Sequence, residues 1–295
     1  MILESLLMVS VLAVDLDVTA IAYKDHLGYE VKQTGVIQKT CAVQMGDASL
    51  AGRAFMDMRP PKGEREVVLR FIEGASEAYE PMLSPGWSAV ELLAQDPNTL
   101  SHQMSNSAFT VVGEPAYLTA AKKILAMQAS GPSGELLYLT KMFEPESSLL
   151  KPTAPQSPIG NTFIMVAGSS DLKATRIFLE DTFGNLVTNP VPFKIDVLAK
   201  ARGDSSDTRY PIMMMKFSGP FGFEFDEYGT ASDRAQAPGG TILVSASVDS
   251  LTSIDSSGQY NGTVSTCVGI QGLSSLVRFP SGALLEVVAP IKRDP

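Results

Sequence analysis

Asp15-Leu16-Asp17-Val18-Thr19-Ala20-Ile21-Ala22-Tyr23-Lys24-Asp25-His26-Leu27-Gly28 returns 156 residues later as Asp171-Leu172-Lys173-Ala174-Thr175-Arg176-Ile177-Phe178-Leu179-Glu180-Asp181-Thr182-Phe183-Gly184. Asp, Leu, Thr, Ile, Asp and Gly match at identical offsets, six of fourteen positions. A second pair stands near the ends of the two copies, Pro132-Ser133-Gly134-Glu135-Leu136-Leu137-Tyr138-Leu139 against Pro280-Ser281-Gly282-Ala283-Leu284-Leu285-Glu286-Val287. Self-similarity at a fixed offset marks a repeated structural unit. Between the copies, residues 144–160 are proline-rich and lack hydrophobic periodicity, which predicts a linker. The chain therefore divides into homologous halves, 1–143 and 161–295.

Each half reads as double again. An apolar strand runs into an Asp at Leu6–Asp15, and weaker copies stand at Ala89–Asp96, Phe163–Asp171 and Ile242–Asp249. An Asp in that place caps the following helix through its carboxylate. Leu16, Ala20 and Tyr23 share one face of the first helix, and Gly28 stands where a C-terminal cap belongs. Later stretches such as 66–72 and 210–217 have strand patterns. The expected order is β-α-β-β-β four times, an α+β fold of tandem βαβββ modules forming two cupped mixed sheets.

Composition narrows the function. With 23 basic against 32 acidic residues, a net charge of −9 and no basic run, the chain argues against nucleic-acid binding. The apolar stretch 6–14 has an acid in front of it and two behind, and is too short to span a bilayer, so it predicts a buried strand rather than a leader or an anchor. Cys41 and Cys267, 226 residues apart, give neither a CxxC pair nor a disulfide framework, so a reducing, cytoplasmic setting is expected. His26 and His102 lack metal-site spacing, and both read as surface or helix-end residues.

The order "strand, Asp-Leu, helix, Leu-Gly-Tyr", closed by "Pro-Ser-Gly-x-Leu-Leu-x-Leu", resembles the vicinal-oxygen-chelate superfamily. That superfamily includes glyoxalase I, bleomycin and fosfomycin resistance proteins and extradiol dioxygenases. The resemblance covers about four-fifths of the chain. It implies cups that each join two modules, with metal ligands of His or Gln type on first strands and Glu on final strands. Carried over, the first-strand positions are Met8, Ala89, Ile164 and a residue near Ile242 or Leu243; the final-strand positions considered are Tyr138 and Glu286. Only Glu286 has the family's ligand type, so neither metal nor other cofactor is expected.

With Met8, Ala89 and Tyr138 facing a cavity, period-two alternation also turns Ser10, Trp87, Glu91, Leu136 and Thr140 inward. This makes an apolar cup with an aromatic wall and one acid. Burial raises a carboxylate's pKa and suits it to proton transfer near neutrality. Alternatively, Glu91 pairs with an arginine such as Arg53 or Arg70 and only holds the sheet. The second half offers Glu286, Lys216 and Glu224, beside three methionines at 213–215.

The leading expectation is a metal-independent lyase or isomerase acting on a small hydrophobic or aromatic oxygenated molecule. Glu91 would be its base, Tyr138 the hydrogen-bonding or acid partner, and Trp87 a stacking surface. The rival is a protein that sequesters such a molecule without chemistry; a metal-dependent dioxygenase or glyoxalase is a third reading. Tandem duplication supplies both halves of an interface within one chain, though a homodimer remains open.

Overall fold

The computed structural model describes residues 1–62, 64–229, 237–251, 259–264, 267–269 and 272–290. The first module comprises β1 (Leu3–Ala13), α1 (Leu16–Leu27), β2 (Glu30–Val36), α2 (Lys39–Gln44), β3 (Ala54–Arg59) and β4 (Val68–Glu73). The second comprises β5 (Gly86–Ala94), α3 (Pro97–Met104), β6 (Thr110–Tyr117), β7 (Ile124–Ser130) and β8 (Leu136–Met142). The third has β9 (Ile159–Ser169), α4 (Leu172–Thr182), β10 (Leu186–Val187), β11 (Val191–Lys194), α5 (Asp196–Arg202), β12 (Arg209–Lys216) and β13 (Gly222–Glu227). The fourth has β14 (Gly240–Val248), β15 (Gln259–Val264), β16 (Gly272–Arg278) and β17 (Leu284–Pro290).

The Asp signals act as read. Asp15, Asp96 and Asp171 accept hydrogen bonds from the backbone N–H groups of Val18, Asn98 and Ala174 at 2.9, 3.1 and 2.9 Å. These bonds satisfy donors that a helix start otherwise leaves open. Gly28 ends α1 at φ 70°, a left-handed conformation that glycine adopts without a Cβ penalty. The helix expected after Asp249 falls mainly on residues outside the described ones.

Strand pairing crosses the boundary drawn at the linker. Modules 1 and 4 form a sheet ordered β15-β16-β17-β14-β1-β4-β3-β2. Modules 2 and 3 form the other, β10-β12-β13-β9-β5-β8-β7-β6, with β11 also on β12. The joins are antiparallel, β1 with β14 and β5 with β9, while the first and last strands of each module pair in parallel. Both cups are thus built from one module of each half.

Alternation along β1 shows how the layers arise. Val9, Val11 and Ala13 enter a core shared by both sheets, with Phe71, Val90, Met165, Phe223 and Leu285. Met8 and Leu12 join separate clusters on the opposite face, which is the cup. Burying an apolar side chain of this size contributes about 1.5–3 kcal/mol, so this two-sided strand strongly favours one register.

The expectation that Cys41 and Cys267 are unpaired is corrected. They form a disulfide with Cα atoms 5.5 Å apart. Cys41 lies on α2 of module 1 and Cys267 precedes β16 of module 4, so shared sheet membership brings together residues that sequence separation sets far apart. The expected reducing compartment rested on the unpaired reading and loses that support. No helix among the described residues is long and apolar enough to cross a membrane.

Candidate active site

The four modules are equivalent in register. Ser10 pairs with Arg70, Glu91 with Tyr138, Val166 with Glu224, and Ser245 with Glu286, each joining the first strand of a module to its last. Two residues earlier on the first strands stand Met8, Ala89, Ile164 and Leu243. Since Ser245 is the partner of Glu286, Leu243 and not Ile242 fills the fourth place.

One cup is filled. In the sheet of modules 1 and 4, Arg70 donates from Nε and Nη2 to both oxygens of Asp57 at 2.6 and 2.8 Å. It also donates to the Cys267 carbonyl and stacks 4.2 Å over the Phe55 ring. Gln33 donates to Asp57 at 2.7 Å, and Ser245 donates to Glu286 at 2.7 Å. Above this polar layer Leu12, Ile37, Cys41, Met45, Leu243 and Cys267 pack together. Met8, Ser10, Arg70 and Glu286 therefore belong here. They do not share a cavity with Glu91, because module 1 pairs with module 4 and not with module 2.

The other cup is open. A cleft of about 790 Å³ lies in the sheet of modules 2 and 3, with Glu91, Tyr138 and Glu224 among its lining residues. Val112, Phe193, Ile195 and Ile212 supply apolar wall, and Val197 and Lys200 of α5 reach its edge. Gln128 also lines it, lying across β6 at Gly113. A Cβ at Gly113 would stand 2.1 Å from Gln128 Oε1 and 2.7 Å from Val197 Cγ1, so only glycine admits both neighbours.

Glu91 is 7% exposed and accepts a 2.6 Å hydrogen bond from the Thr140 hydroxyl. Neither Arg53 nor Arg70 reaches it: Arg53 lies on an exposed turn before β3, and Arg70 serves Asp57 in the other sheet. Burial first, and then the charge of Glu224, raise the pKa of Glu91, while Thr140 offsets part of the rise. Burial likewise raises Glu224. Asp226, two residues along β13, is held well above the carboxylate range by burial and then by Glu224. The Tyr138 hydroxyl is buried without a hydrogen-bond partner among the described residues. Its pKa is raised by burial first, then by Asp226, Tyr228, Glu224 and Glu91.

Trp87 is not in this cleft, which corrects its placing by alternation. β5 carries an irregularity between Trp87, opposite Ala167, and Ala89, opposite Val166. The extra residue resets the period of two and turns the indole into the core. There Nε1 donates to the Leu284 carbonyl at 2.7 Å, and the ring meets Phe223 and Phe279 edge-on at 5.0 and 5.6 Å. Lys216 lies at the end of β12, where its backbone carbonyl accepts from Asn185, and does not line the cleft. Leu136 and Ala89 pack beneath the cup with Tyr138. His26 sits edge-on to Phe109 with ring centroids 6.2 Å apart. His102 lies on α3, where its backbone carbonyl accepts from Ser105.

The residues present do not fit the superfamily's metal. In the open cup the equivalent positions hold Ala89, Tyr138, Ile164 and Glu224, with Glu91 added; in the filled cup a guanidinium occupies one of them. Among the described residues no group of three or more His, Cys, Asp and Glu side chains has an arrangement that could hold a metal ion.

No family model matches the sequence, and no curated protein matches it. Solved structures do match. Glyoxalase I from Zea mays superposes with a TM-score of 0.62 at 14% identity, over 96% of this chain and 92% of that one. A Bacillus subtilis protein assigned as a dioxygenase gives 0.62 at 11% identity, over 98% and 86%. The chain has the vicinal-oxygen-chelate fold in its tandem, four-module form. At these identities the likeness speaks to architecture, and function is argued from the cleft.

Proposed function

We propose that the protein is an enzyme of lyase or isomerase type, moving a proton on a small apolar or aromatic molecule that carries an oxygen. The observation that carries this reading is the convergence of Glu91 and Glu224 on one largely apolar cleft. Two carboxyl groups that repel each other in a low-dielectric site tend to share one proton near neutrality, leaving one base and one hydrogen-bond donor. The ionised partner takes a proton from carbon next to a carbonyl. The neutral carboxyl donates to the carbonyl oxygen as negative charge develops there. Returning the proton to a neighbouring carbon completes an isomerisation; expelling a β-substituent completes an elimination.

Thr140 fixes Glu91 through its 2.6 Å hydrogen bond, and Tyr138 is the second donor available to the substrate oxygen. The test is deuterium incorporation from D2O into small enolisable aryl ketones and aldehydes, followed by NMR. Exchange above the buffer rate is expected. A positioned acid or base contributes about 10²–10⁴-fold, so Glu91→Gln should lose at least about a hundredfold. Exchange indifferent to Glu91→Gln overturns the mechanism, and compounds bound but left unexchanged favour sequestration.

A further inference from the structure

We propose that the ligand of the open cleft is a monocation, a protonated primary or secondary amine on a small apolar or aromatic frame. This rests on reading the cleft as the ligand site and adds the charge of what enters it. Glu91 arrives from β5 and Glu224 from β13, the two strands flanking β9, and both line the cleft. Asp226 lies behind Glu224 on the same face of β13, 1% exposed; it is hydrogen-bonded to Glu224, and its Oδ1 has no partner among the described residues. No salt bridge among the described residues involves Glu91, Glu224 or Asp226.

The positive charges at the cleft stand at its rim. Lys194 is exposed and pairs with Asp196 at 3.2 Å, and Lys200 is exposed on α5. Glu114, also at the rim, adds a further negative charge. An independent observation points to a ligand: the Tyr138 hydroxyl is buried, lines the same cleft, and has no partner among the described residues. A buried phenol without a hydrogen bond costs free energy that a bound polar group would recover.

Charge matching selects among occupants. Two facing carboxyl groups that share one proton carry one net negative charge, and apolar walls make that charge costly unless it is paired. An ammonium pairs with that charge, donates to both carboxyl groups and so lowers their pKa, releasing part of the shared proton, and a neighbouring oxygen or nitrogen on the ligand can meet Tyr138. An anionic ligand would add repulsion, and a neutral one would leave the charge unpaired.

Isothermal titration of the full chain at pH 8 with benzylamine, benzyl alcohol and benzoate tests this. Benzylamine should bind at least tenfold more tightly than benzyl alcohol, with benzoate weakest. Its binding should release protons, read from heats in two buffers of different ionisation enthalpy. The Glu91→Gln/Glu224→Gln double variant should bind the amine and the alcohol alike. Equal binding by wild type, no binding of benzylamine, or a preference that survives in the double variant overturns the proposal. Should the double variant not fold, the wild-type amine-to-alcohol ratio and the proton release decide the matter. Lost amine selectivity leaves the exchange chemistry standing, whereas amine selectivity without hydrogen exchange removes catalysis and keeps the ligand class.

Discussion

Glu91 and Glu224 stand on β5 and β13, which flank β9 from opposite sides, and their carboxyl groups reach one cleft. Their elevated pKa values are a debt against stability at high pH. A carboxyl group whose folded pKa exceeds its unfolded value contributes stability below the unfolded pKa and loses it as pH rises through the folded one. For Glu91 that window runs from 4.5 to about 8. Glu135, hydrogen-bonded by Tyr23 at 3.0 Å and raised to about 7, acts with the same sign. Wild-type Tm should therefore fall between pH 5 and pH 8 more steeply than that of the Glu91→Gln/Glu224→Gln variant. At pH 8 the variant should melt higher by about 3 °C, the size expected for roughly 1 kcal/mol in a chain of this length. Parallel curves would show that the pair ionises as freely folded as unfolded.

Thr140→Val removes the hydroxyl that donates to Glu91 at 2.6 Å while keeping the side-chain shape. Losing a hydrogen bond to the ionised form raises the pKa further. The pH of half-maximal exchange activity should move upward, by about one unit. An unmoved profile with a lower rate would assign Thr140 to packing instead.

Trp87→Phe should lower stability and leave the cleft alone. The Leu284 carbonyl loses its indole donor inside the core, at a cost of about 1–3 kcal/mol. Ligand affinity should stay within about twofold of wild type. A tenfold loss of affinity with unchanged melting would return the indole to the binding site.

Cys41→Ser/Cys267→Ser opens a covalent loop of 226 residues. In the chain-entropy account a loop of that size contributes up to about 5 kcal/mol, and measured values usually fall short. Chemical denaturation should show a large loss of stability. Ligand titration should show no change in affinity, because the disulfide belongs to the filled cup.

Much of the architecture was legible because local signals repeat. The Asp caps, Gly28 and the Pro-Ser-Gly turns are short-range chemistry, and they mark four modules directly. Which modules share a sheet was not legible, because the edges of β1 and β5 carry no local mark of their partners. That one ambiguity moved Met8, Ser10 and Arg70 away from Glu91 and brought Glu224 beside it. It also hid the disulfide. Trp87 was lost differently, since a single extra residue in β5 reverses every inward assignment before it. Glu91 lies beyond that irregularity and Tyr138 lies on β8, so alternation turns both toward the cleft. The sequence signal for Glu224 was its place on a final strand, visible only once β13 is aligned with β4, β8 and β17.

Pairing the first module with the last also imposes an order of assembly. As the chain leaves the ribosome, β5 meets β9 early and the sheet that holds the cleft can close. β1 must wait for β14, which begins at Gly240, before its second edge is covered. Until then an eleven-residue, mostly apolar strand presents open backbone donors and acceptors, the arrangement most prone to mispairing between nascent chains. The cleft is thus complete before the molecule is, and the longest exposure during synthesis falls on the sheet of the first and last modules.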